Sequence, residues 1–427
     1  MKFENSLSFA RQLDKKDSLK KYRKQFLIPK HKGKPCIYFT GNSLGLQPIK
    51  AKKIILEELK DWEKLAVEGH LQSKRPWLYY HKFSKKALAK ITGSFPEEVV
   101  AMNQLTVNLH LMMVSFYRPT AQRYKILIEA GAFSSDQYAV ESQVKWHRYN
   151  PDSAIIEVKP RPGEFTLRQE DILEEIKSHG DELALILFSG VQYFTGQLFD
   201  FKSITEAGHK AGAYVGFDLA HAIGNVPLNL HEDQVDFAVW CGYKYLNSGP
   251  GAVAGAFVHK RHHQSSLPRF AGWWGHYEKE RFQMKKGFVP MPGADGWQLS
   301  NFPVLNGAAQ LTSLDLFMEA GTSVLRKKSE LLTAYLFYLL KEADPSEHSY
   351  KIITPSDSAQ RGCQLSIMVW RNGKKAFKKI SEAGIVADWR ESQNPNNPSG
   401  VIRVAPVPLY NTFEDVFRFS ETLKNSL

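Results

Sequence analysis

Lys244 follows an apolar run, Phe237-Ala238-Val239-Trp240, and a short link, Cys241-Gly242-Tyr243; the Gly/Pro-rich stretch Asn247-Ser248-Gly249-Pro250-Gly251 comes soon after. The apolar residues are continuous rather than alternating, which predicts a strand buried on both faces. A Lys just beyond such a strand sits near the core. Desolvation there disfavours the ammonium and leaves a nucleophilic amine of the kind that forms Schiff bases. Taken alone, a strand-end Lys more often snorkels into water. The stretch upstream changes that balance. Ala213-Tyr214-Val215-Gly216-Phe217-Asp218 is a second apolar strand that ends in a carboxylate, before Leu219-Ala220-His221-Ala222. Asp218 alone reads as a helix N-cap. Two neighbouring strands that bring Asp218 and Lys244 to one sheet edge supply what pyridoxal phosphate needs. The Lys holds its aldehyde, and the carboxylate keeps its pyridine nitrogen protonated, so that the ring accepts electrons from the substrate α-carbon.

The elements that must position this pair alternate between strand and helix. Ile126-Leu127-Ile128 precedes Ala132-Phe133-Ser134-Ser135-Asp136, and Leu183–Phe188 precedes Ser189-Gly190-Val191. The strands ending at Asp218 and near Lys244 follow, then Ala252–Val258. Apolar strands separated by helices imply a mostly parallel sheet covered on both faces, with ligands gathering beyond its carboxyl ends. Phe133, Asp136, Ser189, Asp218 and Lys244 all fall at or just past those ends. Thr106 is a candidate N-cap before the apolar segment Val107–Met113. Free amides cluster at such a helix start and suit a phosphate; simple capping is the alternative.

Around this unit, residues 1–30 have the spacing of a polar amphipathic helix, and Cys36–Thr40 of a strand. Gly41–Pro48 is a loop with two glycines and no dinucleotide fingerprint. Pro48 starts a helix through about Glu68, and Gly69–Trp77, with His70, breaks it. Residues 260–303 are loop-rich. Helices are expected at Val304–Glu319, Thr322–Ala343 and Lys374–Ala383, with strands at Gln364–Trp370 and Val401–Ala405. The division expected is 1–65, N-terminal elements of a small unit; 66–310, the large cofactor-binding unit; and 311–427, a C-terminal α+β unit. Asn394–Gly400 reads as a mobile loop. Arg403 lies within an apolar strand and needs an anion, either a structural partner or a substrate carboxylate.

Composition bounds the function. The 427 residues are 43% hydrophobic and 23% charged, which is ordinary for a globular chain of two domains. No stretch is apolar enough to span a membrane, and Met1–Asn5 lacks a signal-peptide core. Three scattered cysteines exclude a disulfide framework or CxxC metal site and suit a reducing cytoplasm. The net charge of +12 could suit nucleic acid, but Lys and Arg are interspersed with acids. The densest basic run, His259-Lys260-Arg261-His262-His263, reads as a solvated turn. No metal is expected.

From about Tyr38 to Phe419 the chain resembles the kynureninase family of fold-type-I, aspartate-aminotransferase-like enzymes. The resemblance is carried by Tyr38–Pro48, Leu105-Thr106-Val107-Asn108-Leu109-His110, Phe217–Ala222, Tyr243-Lys244-Tyr245-Leu246-Asn247 and Arg403–Asn411. It implies an α/β fold: a large domain with a seven-stranded, mostly parallel sheet covered by helices, and a smaller α+β domain. It implies pyridoxal phosphate on Lys244, with Asp218 at the pyridine nitrogen and Phe133 stacked on the ring. Leu105, Thr106, Tyr243 and Trp273 belong near the phosphate; Asn301, Asp136, Ser189 and His221 complete the cofactor environment; Arg403 holds the substrate α-carboxylate. The family builds each site from two subunits, so a homodimer is implied, with Trp273 and Asn301 reaching across. The implied reaction, in tryptophan catabolism or NAD biosynthesis, is hydrolytic Cβ–Cγ cleavage of a kynurenine to an anthranilate and alanine. Lys244 moves the α-proton and Tyr243 shuttles a proton. His70 and Ser300-Asn301 resemble the ring contacts of members that favour 3-hydroxykynurenine. The 394–400 loop is longer than the family pattern. Alternatives on the same fold are a class V aminotransferase or a cysteine desulfurase. A desulfurase needs a reactive Cys on a mobile loop, which Cys36, Cys241 and Cys363 do not fit. A basic nucleic-acid-binding protein is the non-enzymatic alternative, distinguished by salt-dependent DNA binding.

Overall fold

A computed structural model describes residues 2–391 and 400–427, so most of the expected 394–400 loop lies outside the described residues. The central sheet has seven strands: β1 (Val99–Ala101), β2 (Lys125–Glu129), β3 (Ile155–Val158), β4 (Leu183–Ser189), β5 (Tyr214–Asp218), β6 (Phe237–Trp240) and β7 (Gly255–Val258). Their order is β1-β7-β6-β5-β4-β2-β3, and β7 alone runs against its neighbours. Successive side chains leave a strand on opposite faces, so each strand feeds two cores. Leu127, Ile186, Phe188, Val215, Phe217 and Ala238 face one. Ile126, Ile128, Leu185, Leu187, Phe237 and Val239 face the other. Because both faces are covered, the strands read as unbroken apolar runs. Gly216 pairs with Phe237 across β5 and β6, and a Cβ there would stand 2.1 Å from the Phe237 ring. Only glycine permits that approach.

The helices used below are α1 (Leu7–Lys16), α2 (Ile49–Leu65), α3 (Leu105–Phe116), α4 (Ser134–Trp146), α5 (Gln169–Ser178), α6 (Phe201–Ala211), α7 (Val304–Ala320), α8 (Thr322–Ala343), α9 (Gly373–Glu382) and α10 (Phe413–Lys424). Those of α5 and α6 bury Ile172, Ile176 and Ile204 in the first core; α3 and α4 bury Leu109, Met112, Val140 and Val144 in the second. A second, antiparallel sheet runs β8 (Tyr350–Ile352), β9 (Leu365–Val369), β11 (Gly400–Val404), β10 (Asp388–Glu391). Its core joins Ala10 and Leu13 of α1 to α8, α9 and α10.

The N-terminal stretch is not one helix. Serine 6 caps α1, which ends at Lys16; Asp17 then accepts from Leu19 N (2.8 Å) and pairs with buried Lys328 (2.8 Å). That inward carboxylate turns the chain into a 3-10 segment, Lys20–Gln25. The strand expected over Cys36–Thr40 shrinks to Ile37–Tyr38, and Pro48 caps α2 rather than joining it. α2 stops at Leu65, before the expected Glu68, where Ala66 takes a positive φ.

The basic run after β7 is not a solvated turn. Asp236, buried at the amino end of β6, takes His262 Nε2 (2.7 Å), His209 Nε2 (2.9 Å), Val215 N (2.7 Å) and the Arg261 guanidinium. Burial pushes the Asp236 carboxyl up, but the two histidines and Arg261 outweigh it and hold it well below the usual carboxylate range. A depressed carboxylate stabilises the fold above its unfolded pKa, and that contribution fades as pH falls through the acid range. Removing one partner of such a buried cluster strands the others, so Asp236→Ala should cost about 3 kcal/mol at neutral pH. Urea denaturation measures this, and the gap from wild type should narrow below about pH 4.

Candidate active site

At the carboxyl edge of the central sheet one cavity gathers most of the residues singled out in the sequence. Its walls are Leu105 and Thr106 from α3, Phe133, Ser135 and Asp136 at α4, Ser189 ending β4, Asp218 ending β5, and His221, Tyr243 and Lys244 from the turns beyond β5 and β6. Asp218 and Ser189 are direct partners across the parallel pair β5 and β4.

Lys244 rides on a rigid turn. Asn247 N donates to Lys244 O (2.9 Å), with Asn247 itself at φ 51°, and Ser248 N donates to Gly242 O (3.0 Å). The glycine loop from the N-terminal segment docks on this turn: Gly45 N donates to Tyr243 O at 2.8 Å. A Cβ at Gly45 would lie 2.4 Å from the Lys244 carbonyl oxygen. The amine points into the cavity, 3.0 Å from His221 Nε2 and 5.7 Å from the centre of the Phe133 ring. Burial, then the nearby Lys244, Arg403 and Arg390 charges, hold the buried His221 well below its ordinary pKa. A neutral His221 accepts from Lys244 at Nε2 and carries its proton on Nδ1, which finds no protein partner.

Asp218 does cap its own turn, since Oδ1 accepts from Ala220 N at 2.6 Å. The capping and functional readings are therefore both compatible with its place. Burial pushes Asp218 up while Asp136, Lys244 and Ala220 N favour its anion; burial and the Asp218 charge drive Asp136 well above its usual range. Of this pair Asp136 keeps the proton and donates it to Asp218, and Asp136 Oδ1 is left without a partner. At the opposite wall, Gln104, not Thr106, occupies the cap of α3 and makes no side-chain bond, so the first amides stay free. Thr106 sits in the first turn with Oγ1 2.7 Å from Ser135 Oγ. An amine, a buried carboxylate, two unpartnered polar atoms, free helix amides and paired hydroxyls together fit pyridoxal phosphate.

Arg403 lies one step behind. It is 2% exposed, donates Nη1–H to Tyr193 O (2.6 Å) and pairs through Nε with Asp388 Oδ2 (2.6 Å), its register partner on β10. The structural ion pair is thus present, and Tyr193 connects it to the cavity. Trp273, Ser300, Asn301 and His70 do not join the cavity of their own chain. Trp273 is partly exposed with Nε1–H on Arg281 O (3.1 Å), Ser300 and Asn301 are exposed, and exposed His70 meets Trp77 edge-on at 5.6 Å. Sequence reasoning did not assign Ser135, Tyr193, Asp388 or Glu129. Glu129 carried a usable signal, because it ends an apolar strand as Asp218 does. The three cysteines are buried with thiols pushed up by burial, Cys363 to about 12.

Gly45→Ala would force the Lys244 turn to move. The expected result is a folded protein, by circular dichroism, that retains at least about tenfold less pyridoxal phosphate on gel filtration, from a misplacement worth roughly 1.4 kcal/mol or more.

The fold is the one expected, a mostly parallel seven-stranded sheet covered by helices beside a smaller α+β unit. Residues 325–423 match the kynureninase C-terminal domain, and residues 141–367 match aminotransferase class-V. The kynureninase of Flavobacterium psychrophilum is 54% identical over 429 residues, covering 100% of this chain and 99% of its own. That of Myxococcus xanthus is 54% identical over 424 residues, covering 99% and 97%. Among solved structures, the apo cysteine desulfurase of Thermococcus onnurineus has a TM-score of 0.75 at 14% identity, over 91% of this chain and 94% of that one. That likeness is one of fold type I alone. Identity over the whole length decides the rest: the chain belongs to the kynureninase family.

Proposed function

We propose that Lys244 carries pyridoxal phosphate and that this enzyme hydrolyses a kynurenine between Cβ and Cγ, giving an anthranilate and alanine. The observation that carries this reading is half-buried Lys244 with buried His221 and Asp218, beside the free amides of α3, in a chain over half identical to kynureninases along its full length. When bound, pyridoxal phosphate supplies an electron sink for the carbanions at the substrate α- and β-carbons. Asp218 would hold the pyridine nitrogen in its protonated form, with Asp136 neutral beside it. His221, kept neutral by burial and by the surrounding cations, accepts from Lys244 and fixes the direction of its amine. Lys244 takes the substrate α-proton. Tyr243, whose phenol burial pushes up, remains protonated at neutral pH and donates to the departing β-carbon. Arg403 meets the α-carboxylate.

The working unit is a homodimer in a reducing cytoplasm. Exposed Leu56, Leu59 and Trp62 on α2 support an interface on that side, and the surface positions of Trp273, Ser300, Asn301 and His70 suit residues that serve the partner's cavity. Free buried thiols suit the compartment. No helix among the described residues is long and apolar enough to cross a membrane. A desulfurase reading gains nothing from the fold, since no cysteine lines the cavity.

Borohydride reduction followed by peptide mapping should place the label on Lys244, and product analysis with kynurenine should show alanine without any keto acid added. A label on another lysine, or a requirement for a keto acid, overturns the assignment. For substrate choice, His70 and Asn301 can each bond a phenolic hydroxyl, and a site built for that group rejects the analogue lacking it. The expected kcat/KM ratio for 3-hydroxykynurenine over kynurenine is about tenfold or more in wild type and falls in His70→Trp. A ratio below one, or one unmoved by the substitution, removes His70 from the substrate ring.

A further inference from the structure

Glu129 is the last residue of β2, is 2% exposed, and makes no ion pair among the described residues. Both its oxygens approach Ser189 N, at 3.3 and 3.2 Å, and Oε1 lies 2.5 Å from Ser189 Oγ. Across the sheet order β2, β4, β5, the strand ends therefore present Glu129, Ser189 and Asp218 in a row. Ser189 lines the Lys244 cavity, whereas Glu129 lines a neighbouring cavity of about 540 Å³ between the two sheets. Glu129 thus stands on the wall between them, bonded to the inner side through the Ser189 hydroxyl.

We infer that Glu129 is a positioning residue that sets the direction of the Ser189 hydroxyl at the cofactor cavity. Ionised, Glu129 takes the Ser189 proton, and the hydroxyl offers only lone pairs inward. Protonated, Glu129 donates to Ser189 Oγ, and the hydroxyl proton turns into the cavity. The proton comes from and returns to water through the outer cavity. This deepens the cofactor reading above and rests on it.

Burial raises Glu129 to about 7 against the opposing Ser189 bonds, with Asp218 adding to the rise, so both states are populated near neutral pH. The charged groups facing it are Asp218 on β5, Asp136 on α4, and Lys244 and His221 on the turns; Arg390 and Glu391 of β10 face the outer cavity. The Asp218 charge favours a neutral Glu129. Pyridoxal phosphate presents acceptors at its phenolic, carbonyl and phosphate oxygens, and its one ring donor goes to Asp218. An inward-pointing donor at Ser189 therefore suits it. Cofactor binding and Glu129 protonation should reinforce each other, with tighter binding at lower pH.

The test is pyridoxal phosphate affinity in Lys244→Ala, where no lysine linkage can titrate. Its Kd should rise about fivefold between about pH 6 and about pH 8, the worth of one hydrogen bond of about 1 kcal/mol. Adding Glu129→Gln should abolish that extra rise and fix the tight value, because the amide Nε2–H donates to Ser189 Oγ at any pH while Oε1 still accepts from Ser189 N. Adding Ser189→Ala should also abolish it, and it decides the matter should Glu129→Gln not fold. Titrations of the free cofactor, Asp136 and Asp218 are common to all three proteins. A double variant that keeps the rise of its parent overturns the inference. Borohydride labelling of Lys244 tests the underlying cofactor reading separately, so the two can fail independently.

Discussion

The carboxyl edge of the central sheet is organised by one constraint: Lys244 is a half-buried amine that pairs with no carboxylate among the described residues. Its Nζ rests on a neutral imidazole, His221, not on a carboxylate. The nearby acids share a proton: burial and Asp218 raise Asp136, which keeps it, while Asp136 favours the Asp218 anion against burial. A fold optimised only for stability would pair these charges or replace them with apolar groups. The elements around Lys244 enforce its position: the Gly45 loop on the backbone of the turn, left-handed Asn247 closing it, and the buried carboxyl ends of β5 and β6 beneath.

How much of this was legible in the sequence depends on how local the signal is. Lys244 and Asp218 announce themselves because unbroken apolar runs end in charge, and a run of that kind has one fate in a covered sheet. Phe133, Asp136 and Ser189 follow, since they sit just past other strand ends. The same logic extends to Glu129, which lies one residue past the apolar run Ile126-Leu127-Ile128 and ends β2. Thr106 was placed at the right helix start but one role away: Gln104 holds the cap, and the Thr106 hydroxyl is spent on Ser135, a contact 29 residues distant that no local pattern encodes. Tyr193 and Asp388 reach the site through tertiary packing alone. The basic run at 259–263 misled for the same reason, because its partner, Asp236, arrives on a different strand.

The distinction between family and fold is equally residue-specific. A cysteine desulfurase shares the architecture at 14% identity. What the two share at that distance is the fold; the reaction is decided by what lines the carboxyl edge of the sheet. Here no thiol lines it. The positions that would discriminate substrates, His70 and Ser300-Asn301, lie on exposed segments outside the cavity of their own chain. Under the shared site proposed above, specificity belongs to the assembly and the scaffold chemistry to the single chain.

Comparing the two ends of the same sheet separates structural charge from functional charge. At the amino edge, Asp236 is as buried as Asp218, yet two histidines, an arginine and a backbone amide meet it, and its carboxyl is held low. Glu98, before β1, is likewise met by His231 Nδ1 and Lys260 N, each at 2.9 Å, and is also held low. At the carboxyl edge the acids Glu129, Asp136 and Asp218 are all held high, and Asp136 and His221 each retain an unpartnered buried atom. Residue type and depth are the same; the sign of the perturbation is opposite. A depressed carboxylate contributes stability at neutral pH, whereas a raised one detracts from it. The chain therefore tolerates an electrostatic deficit at one edge of a sheet that its other edge anchors, and a deficit of that form is relieved by a ligand that brings its own cation and its own acceptors.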